Sequence, residues 1–126
     1  MQLLAHGIDI VEIGELRRLI NEPGGHFMTR CFTSAEQLDA GEGPNRIDRL
    51  AGRFAAKEAV AKALGVGWGN GIAWTDIEIR TMDSGAPDIV LHRRAKEVAD
   101  QLGVIRFLIS TSHTGAYAIA SSLALS

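Results

Sequence analysis

The chain reads as a single α+β domain, a mostly antiparallel sheet packed with one long central helix. Apolar runs of strand character lie near both ends, Leu3 to Val11 and Ile105 to Leu125, and a segment of helical periodicity, Arg46 to Leu64, lies between them. Two hairpin patterns, around Gly85 and around His113-Thr114-Gly115, favour antiparallel pairing.

Each element has a local cause. After the first strand, Ile13, Leu16, Leu19 and Ile20 recur at helical spacing until Pro23-Gly24-Gly25 stops them. Thr33 and Glu36 have capping-box spacing and predict a short packing helix. Gly41 to Asn45 is a loop, and the long helix that follows ends at Gly65, a natural left-handed C-cap. Trp74 to Met82 and Asp88 to Leu91 read as strands joined by Asp83-Ser84-Gly85-Ala86-Pro87. Ala95, Val98, Ala99 and Leu102 mark a helix stopped by Gly103, and Ile105 to Ser112 with Ala116 to Leu125 form the closing hairpin. No repeat or linker interrupts residues 1–126, so they are expected to form one domain.

Composition narrows the function classes. Apolar residues make up 46% and charged residues 22% of the 126, as in ordinary globular proteins. Thirteen basic and 15 acidic residues leave a net charge of −2, so no basic footprint points to nucleic acid. Cys31 stands alone and can close no intrachain disulfide. The start, Met1 to Gly7, is too short and too soon interrupted for a signal peptide. No apolar run approaches the ~20 residues that span a bilayer, so no membrane partner is expected and a cytoplasmic location is.

Two carboxylates sit where carboxylates are costly. Glu58 falls on the helix face shared by Ile47, Leu50, Ala51, Phe54, Ala61 and Leu64, and is expected to point inward. A buried carboxylate costs several kcal/mol unless cations or donors satisfy it. Lys62, four residues on, offers a plain helix ion pair. Asp9 lies inside the aliphatic strand Gly7-Ile8-Asp9-Ile10-Val11, where it either caps the following helix or serves a ligand. Together the two acids suit a hard divalent cation: Mg²⁺ takes one or two protein carboxylates and completes its shell with water and phosphate oxygens.

Basic groups surround that pattern. Arg53, Lys57 and Lys62 on the long helix, with His113 in the closing turn, could form a cationic surround for phosphate. The run Gly65-Val66-Gly67-Trp68-Gly69-Asn70-Gly71 follows a helix instead of preceding one, so it is not a phosphate loop. It is either a connector or a backbone on which a long ligand can lie, with Trp68 as an apolar contact.

Three segments, Gly7-Ile8-Asp9-Ile10-Val11-Glu12-Ile13, Arg53 to Gly65, and Ser112-His113-Thr114-Gly115-Ala116-Tyr117-Ala118, resemble the motifs of the holo-acyl-carrier-protein synthases, the small 4′-phosphopantetheinyl transferases. The turn Gly85-Ala86-Pro87 matches that family's Gly-x-Pro position. The resemblance implies the 4′-phosphopantetheinyl transferase fold across residues 1–126. It also implies Mg²⁺-dependent transfer of 4′-phosphopantetheine from coenzyme A to a serine of apo-acyl carrier protein, with release of adenosine 3′,5′-bisphosphate, in fatty acid synthesis. Asp9 and Glu58 match its metal ligands. Lys62 and His113 match phosphate contacts that, with Glu58, would carry catalysis. Arg53 and Gly65 join Lys62 and His113 in holding coenzyme A, and the serine proton would go to Glu58 or a metal-bound water. The family forms homotrimers with sites at protomer interfaces.

Ala5-His6-Gly7 departs from the family's Gly-x-Gly, and Glu15 stands at a carrier-docking position otherwise basic, with Arg17 and Arg18 just beyond and Arg30 at another basic position. The alternatives are the same transfer to a polyketide or peptide-synthase carrier, or a carrier-binding module without catalysis. The apolar strand Ala116 to Ala120, with Ile72 and Trp74 as exposed surface, is expected to need a partner chain.

Overall fold

A computed structural model describes residues 1–67 and 71–126. The chain runs β1 (Leu3–Glu12), α1 (Ile13–Ile20), α2 (Phe27–Cys31), α3 (Ser34–Ala40), α4 (Arg46–Leu64), a 3₁₀ turn (Trp74–Asp76), β2 (Ile77–Thr81), β3 (Pro87–Leu91), α5 (Arg93–Leu102), β4 (Arg106–His113) and β5 (Tyr117–Leu125). The strands form two antiparallel sheets, one ordered β1-β5-β4 and one the β2-β3 hairpin. The expected α+β class, antiparallel pairing and central helix are all present. Trp74 to Asp76 is 3₁₀ rather than strand, with Asp76 Oδ2 accepting from Ala73 N at 3.1 Å and closing the turn.

α4 is the axis of the fold. Leu50, Ala51, Ala55, Ala56, Lys57, Ala59, Val60, Ala61, Ala63 and Leu64 are all buried, so the helix is enclosed on most of its circumference instead of carrying one apolar stripe. Its small residues let strands approach closely. At Gly7 a Cβ would stand 1.9 Å from Ala59 O, so only glycine fits there. Ser122 Oγ, on β5, donates to the same carbonyl at 2.8 Å. The departure at Ala5 leaves this approach intact, because Ala5 packs against the core while Gly7 makes the contact. The helix ends as expected, with Gly65 left-handed at φ 70°.

Register decides which strand residues face α4. Ala118, Ala120, Ser122 and Ala124 of β5 are buried against it, and Asp9 and Thr111 flank Ala120 while Val11 and His113 flank Ala118. The opposite face of this sheet carries Ile8, Ile10, Tyr117 and Ile119, all exposed. The expectation that Ile72 and Trp74 add exposed apolar surface does not hold. Ile72 is buried, and the half-buried Trp74 stacks on Phe54 with centroids 4.6 Å apart.

Candidate active site

The first group of site residues gathers where β1 passes α4. Asp9 and Glu58 line one shallow depression together with Glu12, Glu15, Leu16 and Phe54. Asp9 projects there because it shares the inward face of β1 with Gly7 and Val11, and the Gly7 contact holds that strand against the helix. Lys62 Nζ lies 3.0 Å from Asp9 Oδ1 and donates to Ile8 O at 3.0 Å. The lysine expected beside Glu58 thus ties the helix to the strand acid.

Glu58 is half-buried rather than inward. The charged residue that α4 buries is its neighbour Lys57, and this corrects its expected place in a phosphate surround. Lys57 is fully buried, and its Nζ donates to Glu36 Oε1 at 2.6 Å, Ile77 O at 2.7 Å and Trp74 O at 3.1 Å. Burial pulls the ammonium below its ordinary value against the attraction of Glu36. Glu36 does more than close a capping box with Thr33: its Oε2 also accepts from Ile79 N at 3.0 Å, joining α3 to β2. Periodicity hid this pair because Lys57 lies one residue from the acid that drew attention. Its position among Ala55, Ala56, Ala59 and Val60 was the available clue.

A second group lies on another flank of α4. Arg49, Arg53, Thr81, Pro87, Thr111 and His113 line a cleft of about 180 Å³ between the helix, the β2-β3 hairpin and the end of β4. Arg53 is nine-tenths buried and donates to Asp39 Oδ2 at 2.7 Å and Thr81 Oγ1 at 3.0 Å. Its Nε is buried with no hydrogen bond. The Thr81 hydroxyl and Arg53 hold the Asp39 carboxyl below its ordinary value. His113 is exposed at the last position of β4. Gly65 is exposed beyond the end of the helix, and Trp68 lies outside the described residues.

The two groups share no lining residue. Among the described residues no cluster of three or more His, Cys, Asp or Glu side chains could enclose a metal. Asp9 and Glu58 nevertheless fit magnesium by their chemistry: two hard carboxylates beside open space leave positions for water and phosphate oxygens.

A model of the 4′-phosphopantetheinyl transferase superfamily matches residues 5–121. The chain belongs to this superfamily. Within the superfamily it is 45% identical over 121 residues to the holo-[acyl-carrier-protein] synthase of Moorella thermoacetica, covering 96% of this chain and 93% of that protein. The synthase of Koribacter versatilis is 42% identical over 119 residues, with 94% and 95% covered. Transferase structures agree. The crystal structure of the Neisseria meningitidis synthase superposes with a TM-score of 0.88 at 29% identity, over 99% of this chain and 100% of that one. The Helicobacter pylori synthase, solved in complex with coenzyme A, gives a TM-score of 0.81 at 32% identity, over 95% and 99%.

Proposed function

We propose that the chain, as one domain over residues 1–126, is a holo-acyl-carrier-protein synthase. It transfers 4′-phosphopantetheine from coenzyme A to a serine hydroxyl of apo-acyl carrier protein, releases adenosine 3′,5′-bisphosphate, and serves fatty acid synthesis in the cytoplasm. The observation that carries this reading is the convergence of Asp9, Glu58 and Lys62 at the crossing of β1 and α4, in a chain of this superfamily.

Asp9 and Glu58 hold Mg²⁺ through their carboxylates. When bound, the metal supplies charge neutralisation on the pyrophosphate of coenzyme A. Arg53 and Gly65 hold the nucleotide end, and Lys62 and His113 place positive charge or a donor on the phosphate oxygens. As the serine oxygen bonds to phosphorus and the bond to the departing bisphosphate breaks, Lys62 and His113 stabilise the charge that accumulates on the leaving oxygens. Positioning does most of the work, because phosphoryl transfer needs alignment and charge stabilisation more than covalent help.

In one protomer the Arg53–His113 cleft and the Asp9–Glu58 depression are distinct. A homotrimer reconciles them: the cleft of one protomer meets the depression of its neighbour, so one coenzyme A spans both. The apolar outer face of β1 and β5 is the surface such a partner would cover.

The test is direct. Protein, coenzyme A, Mg²⁺ and purified apo-carriers are incubated, and the carriers are weighed by mass spectrometry. The fatty-acid carrier should gain the mass of one phosphopantetheine, and chelation of Mg²⁺ should abolish the gain. Modification of only a polyketide or peptide-synthase carrier would reassign the substrate, and no modification of any carrier would reduce the protein to a binding module.

A further inference from the structure

Successive helix residues are rotated by about 100°, so Lys57 and Ala59 lie on nearly opposite sides of α4 and Glu58 projects from the flank between them. On the Ala59 side the helix meets β1 and β5 through small groups, the Gly7 backbone and Ser122 Oγ. Alanine and glycine surfaces are smooth and set distance better than angle. A rotation of α4 by about 20° would carry a side-chain end at a radius of 5–6 Å through about 2 Å, enough to separate two carboxylates sharing one ion.

The Ala59 side has the single bond from Ser122 Oγ to Ala59 O at 2.8 Å, and more directional contacts lie on the Lys57 side. Its Nζ reaches three acceptors on three segments: Glu36 of α3, Trp74 O in the 3₁₀ turn and Ile77 O at the start of β2. Glu36 is itself pinned by Thr33 N at 2.9 Å and Ile79 N at 3.0 Å. Both side chains are fully buried, so these bonds form in a low dielectric where misalignment is costly.

We propose that Glu36 and Lys57 are a positioning pair, fixing the rotation of α4 and thereby the place of the Glu58 carboxylate opposite Asp9. The inference rests on the reading of Asp9 and Glu58 as magnesium ligands. Neither Glu36 nor Lys57 touches substrate. Their effect reaches the reaction only through the adjacent acid.

The test compares Mg²⁺ binding, by calorimetry on the whole protein, with transfer activity. The double variant Glu36→Gln with Lys57→Met removes both charges together, so net charge is unchanged and no lone buried ion remains. It should still melt cooperatively, while its Mg²⁺ dissociation constant rises about tenfold or more, as for residues that orient metal ligands. Lys57→Arg is the second arm, because it keeps the charge but replaces a point ammonium with a planar fork; it should show the same shift if the double variant does not fold. Glu58→Gln is the control and should lose Mg²⁺ binding. Folded pair variants that bind Mg²⁺ within about twofold of wild type, beside a Glu58→Gln that does not bind, would overturn the positioning role alone. A Glu58→Gln protein that binds Mg²⁺ like wild type would overturn the metal reading and this inference with it.

Discussion

Gly7 of β1 lies against Ala59 of α4 so closely that a single added methyl at Gly7 would stand 1.9 Å from the Ala59 carbonyl oxygen. The obstructing atoms belong to helix backbone, which cannot step aside as a flexible side chain would. Gly7→Ala should therefore push β1 away from the helix, cost about 1–3 kcal/mol in urea unfolding, and depress transfer by displacing Asp9 two residues on. Wild-type stability in this variant would show that strand and helix can separate without penalty.

Lys62 is a purer probe of the site than of the fold. Its side chain is more than half exposed, so its pair with Asp9 adds at most about 1 kcal/mol to stability. Lys62→Met should leave the thermal midpoint nearly unchanged and lower kcat by at least about tenfold, as expected when a charge that stabilises a leaving phosphate is removed. A large fall in the midpoint with kcat preserved would make Lys62 structural.

Glu78 sets an acid limit on stability. Burial raises its pKa, but hydrogen bonds from Thr33, His92 and Arg80 outweigh burial and leave it below the ordinary value of 4.5. A depressed folded-state value means that the stabilisation is fully present above that ordinary value. It is lost as pH falls through the folded one. Thermal midpoints measured from pH 6 downward should therefore drop in wild type. In Glu78→Gln the midpoint should start lower at pH 6 and fall less steeply, since the titrating carboxylate is gone.

Arg17 and Arg18 stand exposed on α1, where Arg18 Nε donates to Glu15 at 3.0 Å. Glu15 thus offsets part of the positive charge that Arg17 and Arg18 place on α1. Reversing both, Arg17→Glu with Arg18→Glu, should raise the apparent KM for the carrier and leave coenzyme A affinity nearly intact, with the defect shrinking at high salt. Unchanged carrier kinetics with weakened coenzyme A binding would place docking elsewhere.

Assembly should depend on the outer face of the three-stranded sheet. Ile10 is 62% exposed and Ile8 51%, beside Tyr117 and Ile119, and water should not be left against so contiguous an apolar patch. Light scattering should give a trimer, and Ile10→Asp should give an inactive monomer. Mixing Arg53→Ala protomers with Glu58→Gln protomers should restore part of the activity through hybrid interfaces. A fully active Ile10→Asp monomer would refute the shared site.

The amino-acid sequence by itself determined the local structure and the family motifs. Apolar periodicity placed the strands and the helices other than α2, Gly65 and Gly103 terminated α4 and α5, and the Thr33–Glu36 spacing made the capping box, because each depends on contacts within a few residues. Asp9 and Glu58 stood out because their apolar neighbours made a charge there anomalous, and Lys62 because it lies four residues from Glu58. Only the tertiary structure decided where each charge goes. Lys62 reaches back 53 residues to Asp9, and Lys57 enters the core to meet Glu36, 21 residues away. Periodicity along one helix cannot distinguish a lysine facing solvent from one facing a buried carboxylate, because that depends on what another segment brings to the same face. The division of the candidate residues between two flanks of α4 has the same origin: it follows from which strands pack on either side of the helix.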